Sequence, residues 1–397
     1  MTSTSFSFNL TNTYLWSITF LTVRNSTGYH TRTSNLTTPM TTILPSTMAA
    51  PTPSLPSSMR QLLQPSIHST NLILTTAPIP TVPTRDSVLV RVRACCPCAG
   101  ELLWAANFPG SVPSDKEMVP CQDLAGTVVA LHPSATQSDF KVGDAVFSRV
   151  SAERAGAARE YAVARASELA AVPAGLGWVD AAAAPLSALT AWQALFVHGG
   201  LEVAGLHGDE GARGRNAGKR VLVTGAAGGV GSWAVQLAAL AGAGAVVAVC
   251  GRGKGEVVGK LGATEVVDYT RTIVEEWVAA DRASREVDLV VDVVGGKTLA
   301  GCWRAVRERG TLVSVNTPPD MVKPAGLEKT VGKSLFFIVE PLGSNLAEVA
   351  ELIAAGKVRP TVDSVWKLEE FEKAFERLDG GHASGKIVIK VAEDDDA

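Results

Sequence analysis

Arg220-Val-Leu-Val-Thr-Gly-Ala-Ala-Gly-Gly-Val-Gly-Ser232 is the stretch whose reading decides the fold. Val221, Leu222 and Val223 form a short apolar run of the kind found in a buried strand. Gly225, Gly228, Gly229 and Gly231 follow as a tight turn, and residues 233–240 continue as a helix. A strand that turns into a helix over glycines brings backbone N–H groups and a helix N-terminus against a pyrophosphate. A Cβ in that turn would hold the phosphate away from the backbone. A second strand, residues 245–250, follows at βαβ spacing. These features predict a dinucleotide site with Ala227, Gly228, Gly229, Val230 and Gly231 on the phosphates.

The second strand of such a unit usually ends, about 20 residues past the glycines, in an acid that binds the ribose 2′-hydroxyl. Here it runs into Cys250-Gly-Arg-Gly-Lys-Gly255, and the next acid along the chain is Glu256. An acid would repel a 2′-phosphate, whereas Gly251 flanked by Arg252 and Lys254 leaves room and offers positive charge. NADPH is therefore expected rather than NADH. The alternative is that Arg252 and Lys254 are solvated loop cations.

The 397 residues are enough for two domains, and 46% hydrophobic content supplies their cores. A formal charge of −3 gives no reason to expect nucleic acid or an anionic membrane as partner. No apolar run has the length of a membrane span. Cys95, Cys96, Cys98, Cys121, Cys250 and Cys302 cluster beside predicted strands, which reads as reduced thiols of a cytoplasmic enzyme rather than a disulfide framework. Cys95, Cys96, Cys98, Cys121 and His132 lack the second C-x-x-C or paired His of a structural zinc site, so no metal is expected.

Residues 1–58 differ from the rest. They are rich in Ser, Thr, Asn and Pro and contain no acid; the first is Asp86. Two readings stay open: a disordered extension, or a targeting segment that would make the protein mitochondrial. From Met59 the pattern is that of a folded domain. Residues 87–94, 124–131, 144–148 and 161–164 read as strands, and 181–184 with 186–196 as helix broken or started at Pro185. Residues 201–218 lack periodicity and read as an exposed loop. Strands at 265–269, 287–294 and 310–316 then alternate with helices, as in a doubly wound parallel sheet. A strand-like 334–339, helices at 346–355 and 369–378, a strand at 385–391 and an acidic tail complete the chain.

Residues 59–391 resemble the medium-chain dehydrogenase/reductase superfamily, in its zinc-free quinone oxidoreductase and enoyl reductase branch. The likeness rests on Val142-Gly-Asp144, Leu189-Thr-Ala-Trp192, the glycine turn, Leu261-Gly-Ala263 leading to Asp268-Tyr269, Asp292-Val-Val-Gly-Gly296 and Gly385-Lys386. It implies an α/β chain: a GroES-like β-rich catalytic domain (59–186), a Rossmann cofactor domain (187–330), and a return to the catalytic domain (331–397). It also implies that Thr190 approaches the nicotinamide and that Asn316 lines the same cleft. Lys254 and Tyr269 would hold the 2′-phosphate, and Arg252 and Lys386 join the cofactor-binding set.

Zinc-dependent relatives carry Cys-His and Gly-His-Glu where this chain has Cys98-Ala99 and Cys121-Gln-Asp123, and a catalytic zinc normally needs three protein ligands. A Tyr that serves as a candidate proton donor in enoyl thioester reductases is Phe108 here, which cannot donate a proton. No catalytic residue is named; Cys98, Glu101, Phe108 and Thr190 are the cleft candidates. The implied activity is metal-free, NADPH-dependent hydride transfer to a small quinone or α,β-unsaturated carbonyl. The alternatives are an enoyl reductase acting on a carrier-bound thioester and a non-catalytic NADPH-binding protein. A homodimer is the expected assembly.

Overall fold

The computed structural model describes residues 55–110, 112–134 and 139–392; most of the extension expected at 1–58 lies outside them. The described chain begins with a hairpin, β1 (Ser58–Leu63) and β2 (Ile73–Pro78), that the sequence pattern did not reveal. β3 (Ser87–Cys96), β4 (Asp123–Leu131), β5 (Ala145–Arg149), β6 (Tyr161–Arg165) and β7 (Leu169–Ala171) follow and pair antiparallel. β8 (Arg220–Val223), β9 (Ala245–Cys250), β10 (Glu265–Asp268), β11 (Val287–Asp292), β12 (Val306–Ser314) and β13 (Lys333–Phe336) form a second, wholly parallel sheet. The chain then returns through β14 (Val362–Lys367) and β15 (Lys386–Lys390), and β15 pairs antiparallel with β3. The result is an α/β molecule with a β-rich catalytic part and a Rossmann-type cofactor part.

The parallel sheet has the order β10-β9-β8-β11-β12-β13. Its first strand, β8, lies in the middle and neighbours β9 on one side and β11 on the other. The order reverses there, and ligands of such sheets bind in the crevice beyond the strand ends at that point. β8 and β9 are almost continuously buried because helices cover both faces, which is why their sequences are apolar runs and not alternations. β13 still belongs to this sheet, so the chain leaves it after Phe336 rather than at 330.

Residues 201–218 correct the expectation of an exposed loop. They fold into a 3₁₀ turn (Val203–His207) and a helix (Glu210–Asn216) whose N-cap is Asp209, with Ala212 N–H donating to its Oδ1 at 2.7 Å. Leu201, Leu206 and Asn216 are buried. Asn216 Nδ2 donates to the Ala241 carbonyl at 2.9 Å, and Arg213 Nη1 to that of Leu240 at 2.8 Å. The segment thus caps the C-terminus of the Gly229–Leu240 helix. Its apolar contacts are too few and irregular to produce a readable period.

Gly231 fixes how closely that helix packs on the turn that follows β8. A Cβ there would run into the carbonyl oxygen of Gly225 and the Cα of Ala226. Gly231→Ala is therefore expected to lower stability by about 1–3 kcal/mol through overpacking against backbone. The check is a lower urea midpoint with an unchanged denaturant slope.

Candidate active site

The glycine turn places the N-terminus of the Gly229–Leu240 helix at the switch point of the parallel sheet. Gly225 has φ +57° and so needs the left-handed freedom of glycine. Asp292, fully buried at the end of β11, holds the facing loop. It accepts from Thr224 Oγ1 (2.7 Å), Ser314 Oγ (2.9 Å) and Gly295 N–H (3.0 Å), while Val293 N–H donates to Thr224 Oγ1. One carboxylate thus joins the ends of β8, β11 and β12. This explains the spacing of Asp292-Val-Val-Gly-Gly296.

A cavity of about 250 Å³ opens beside the turn. Ala227, Gly228, Gly251, Lys254 and Tyr269, named above as cofactor candidates, line it, together with Thr298, Gly381 and Ala383, which the sequence did not single out. A Cβ on Gly251 would stand 2.9 Å from the Tyr269 hydroxyl, so the tyrosine lies directly over the small residue. Lys254 Nζ donates to the His382 carbonyl at 3.0 Å, which draws the glycine-rich loop before β15 to the cavity's edge. That loop's Gly380-Gly381 and Gly385 were the available signal. Arg252 is exposed and outside the lining.

Asp268 is an acid that reading along the chain did not place here: it pairs in register with Cys250 at the end of β9. Its Oδ1 accepts from Thr270 N–H (2.9 Å) and Thr270 Oγ1 (2.7 Å), which with neighbouring Arg252 holds it below the ordinary carboxyl range. It does not line the cavity.

Thr190 is buried in the Pro185–Trp192 helix, and its hydroxyl donates to the Leu186 carbonyl at 2.6 Å. Asn316 is exposed past the end of β12, with its Oδ1 accepting from Thr317 Oγ1. Phe108 is 57% exposed. Lys386 sits deeper than a phosphate ligand would: Nζ meets Asp123 Oδ2 at 2.9 Å and donates to the Pro97 carbonyl at 3.1 Å. Asp123 Oδ1 accepts the Leu186 N–H at 2.5 Å. Burial works against the ammonium, but the Asp123 carboxylate outweighs it and holds Lys386 above its ordinary range. Its aliphatic stem faces Gly229, where a Cβ would stand 3.0 Å from Lys386 Cδ.

Glu101 and Cys98 come together in the turn after β3. Glu101 Oε1 accepts from Cys98 N–H and Oε2 from Cys121 N–H, each at 3.0 Å. Cys121 has φ +69°, a strained value for a non-glycine residue, and the carboxylate bridges it to the turn. Burial pushes Glu101 up to about 7 and the Cys98 thiol up to about 11. Cys98 is thus a protonated, weakly reactive thiol, and Glu101 a carboxyl that exchanges a proton near neutrality. Glu101, Lys116 and Gln122 also line a small, partly open space of about 20 Å³, room for one water. Among the described residues no three His, Cys, Asp or Glu side chains form a group that could hold a metal ion.

Residues 84–174 match the family model of the alcohol dehydrogenase GroES-like domain, and residues 261–389 that of the zinc-binding dehydrogenases. A probable zinc-binding mitochondrial oxidoreductase of Arthroderma benhamiae is 44% identical over 85% of this chain and 98% of its own. The chain belongs to the medium-chain dehydrogenase/reductase superfamily, in its quinone oxidoreductase-like branch. A mitochondrial NAD(P)H oxidoreductase of Mus musculus is 35% identical to this superfamily member over 64% of this chain and 65% of its own, just under two thirds of its length. A crystal structure of an alcohol dehydrogenase superfamily protein from Novosphingobium aromaticivorans superposes with a TM-score of 0.67 at 27% identity, covering 84% of this chain and all of that one.

The Glu101 carboxyl binds its proton more tightly in the folded protein than in the unfolded chain, where it titrates near its ordinary 4.5. Its contribution to stability is full below that value and is lost as pH rises towards about 7. Glu101→Gln should remove this component. Melting temperatures of parent and variant, taken between those two pH values, are expected to diverge progressively in favour of the variant.

Proposed function

We propose that the protein is an NADPH-dependent oxidoreductase that transfers hydride, without a metal, to a quinone or an α,β-unsaturated carbonyl. The observation that carries this is the cavity beside the glycine turn: Lys254 and Tyr269 line it, Gly251 leaves it open, and among the described residues no carboxylate lines it. The nearby acid, Asp268, does not line it, and its Oδ1 accepts both hydrogen bonds of Thr270. Those residues suit a ribose carrying a 2′-phosphate better than a free 2′-hydroxyl. Relatives named as NAD(P)H and quinone oxidoreductases support the same chemistry.

When bound, the nicotinamide supplies the hydride. The protein's own part is to bind, orient and exclude water. The glycine turn presents unpaired N–H groups of a helix N-terminus to the pyrophosphate, and Lys254 offers charge at the ribose. Phe108 carries no acidic proton, so a developing oxyanion depends on fixed donors or water. The match to a zinc-binding dehydrogenase model is a matter of ancestry in this reading. Gln122 and Ala99 stand where zinc-dependent relatives have ligands, and the described residues form no three-ligand group.

The names of the two mitochondrial relatives favour the mitochondrial alternative over a cytoplasmic location. No helix among the described residues is long and apolar enough to cross a membrane.

Lys254→Ala should weaken NADPH roughly ten- to a hundredfold and leave NADH nearly unchanged, as expected for loss of a charge-assisted hydrogen bond. Fluorescence titration with both cofactors measures this, and equal weakening of both would overturn the assignment. A panel of quinones and enones tests turnover; NADPH bound but oxidised by none of them would favour a binding protein.

Metal independence has its own test. Activity should survive exhaustive chelation, and purified protein should hold well below one zinc per chain by elemental analysis. Stoichiometric zinc whose removal abolishes turnover would sink the metal-free mechanism.

A further inference from the structure

Arg149 closes β5, directly opposite Asp123 of β4 in the antiparallel register. Directly opposed residues project from the same face of a sheet, so Arg149 shares the face from which Asp123 reaches the Leu186 N–H. The residue is only 3% exposed. None of its side-chain nitrogens meets an acceptor or an ion-pair partner among the described residues, and Nε is fully enclosed without one. Burial lowers its proton affinity, and Cys98, Asp123 and Glu168 lie close enough to act on its charge.

The other buried charges around it are matched. Lys386 is paired with Asp123, and Arg154 with Glu168. Lys116 donates to the Ala152 carbonyl at 2.7 Å and faces the charge of Glu101. Arg149 is the cation left over. An unpaired buried charge is strongly unfavourable, so the arrangement is incomplete as it stands. A guanidinium offers a planar fork of donors that fits a carboxylate, and one monoanion would balance the cluster. A permanent anion does this better than a transient enolate, which would leave the charge unmatched for most of a catalytic cycle.

We propose that Arg149 is the receptor for a carboxylate carried by the acceptor, so that the preferred substrates are acidic conjugated carbonyls. This rests on the hydride-transfer reading above. In the reaction implied, hydride from NADPH adds to the alkene carbon β to the carbonyl and the π pair moves to the carbonyl oxygen. A proton from water then restores the carbonyl at the α-carbon. NADPH is oxidised, the alkene is reduced, and the carboxylate on Arg149 is unchanged.

The test uses the full chain with trans-β-acetylacrylate and its uncharged methyl ester. The parent is expected to prefer the acid in kcat/KM by ten- to a hundredfold, mainly through KM, and Arg149→Met to bring that ratio close to one. The acid should also raise the parent's melting temperature saturably, and not that of the variant. Without ligand, Arg149→Met should melt at a higher temperature than the parent, because it removes an unpaired buried charge. A parent that prefers the ester, a ratio unmoved by Arg149→Met, or a variant that melts lower would each overturn the assignment. Phenanthrenequinone, a neutral acceptor, tests the underlying reading separately. If neither it nor the acid is reduced, hydride transfer fails, while the thermal shifts still decide whether Arg149 binds a carboxylate.

Discussion

The buried ion pair of Lys386 with Asp123 is the constraint on which the rest of the active region depends. Four segments meet on it: β4 through Asp123, β15 through Lys386, the turn after β3 through the Pro97 carbonyl, and the Pro185–Trp192 helix through the Leu186 N–H. The last strand of the chain is thereby fixed beside the glycine turn, against which the lysine stem packs. Removing either partner would strand the other charge in the interior, a loss typically of about 3–5 kcal/mol. A matched apolar pair could be equally stable, so the pair is better understood as setting geometry than as supplying net stability.

Two glutamine side chains extend the same logic to the returning chain. Gln193 donates to the Glu340 carbonyl at 3.0 Å and accepts its N–H at 2.9 Å. Gln236 makes the same reciprocal pair with Arg359, both at 3.0 Å. Each amide imitates a strand partner and satisfies backbone that has left the parallel sheet. Gln193 lies where the Pro185–Trp192 helix widens into a π-helical turn over Gln193–His198, a rare geometry concentrated at functional sites. Together with the contact of Lys254 to the His382 carbonyl, these clamps hold residues 337–385 across the cofactor part of the molecule.

What could be read from the sequence follows from where its signals lie. The glycine turn and the strands flanking it were legible because a strand buried on both faces becomes an apolar run and a tight turn demands glycine. Lys254 was singled out by its place just past the second strand, whereas Tyr269 was implied only by the family resemblance; both line the cavity. The β1–β2 hairpin was hidden because most of its residues are exposed or half-buried, and the helix at Glu210–Asn216 because capping, not apolar period, holds it. Asp268 escaped because its neighbour Cys250 is reached across the sheet, not along the chain. Gly381 and Ala383 escaped for the same reason, since only the fold brings them to the glycine turn. Arg149 carried no motif, and its lack of a partner exists only in three dimensions.

The placement of charge explains why the cofactor choice should be made at the ribose. Lys386 lies nearest the glycine turn, but its ammonium is committed to Asp123 and the Pro97 carbonyl, leaving only its methylenes facing Gly229. The pyrophosphate would therefore be met by neutral backbone donors and the helix dipole, which serve NADH and NADPH alike. Lys254 is the cation at the cavity, and its tie to the His382 carbonyl occupies only one of three ammonium donors. A 2′-phosphate can share that lysine without breaking the tie. The group that distinguishes the two cofactors would then also strengthen the contact that holds the returning loop over the site.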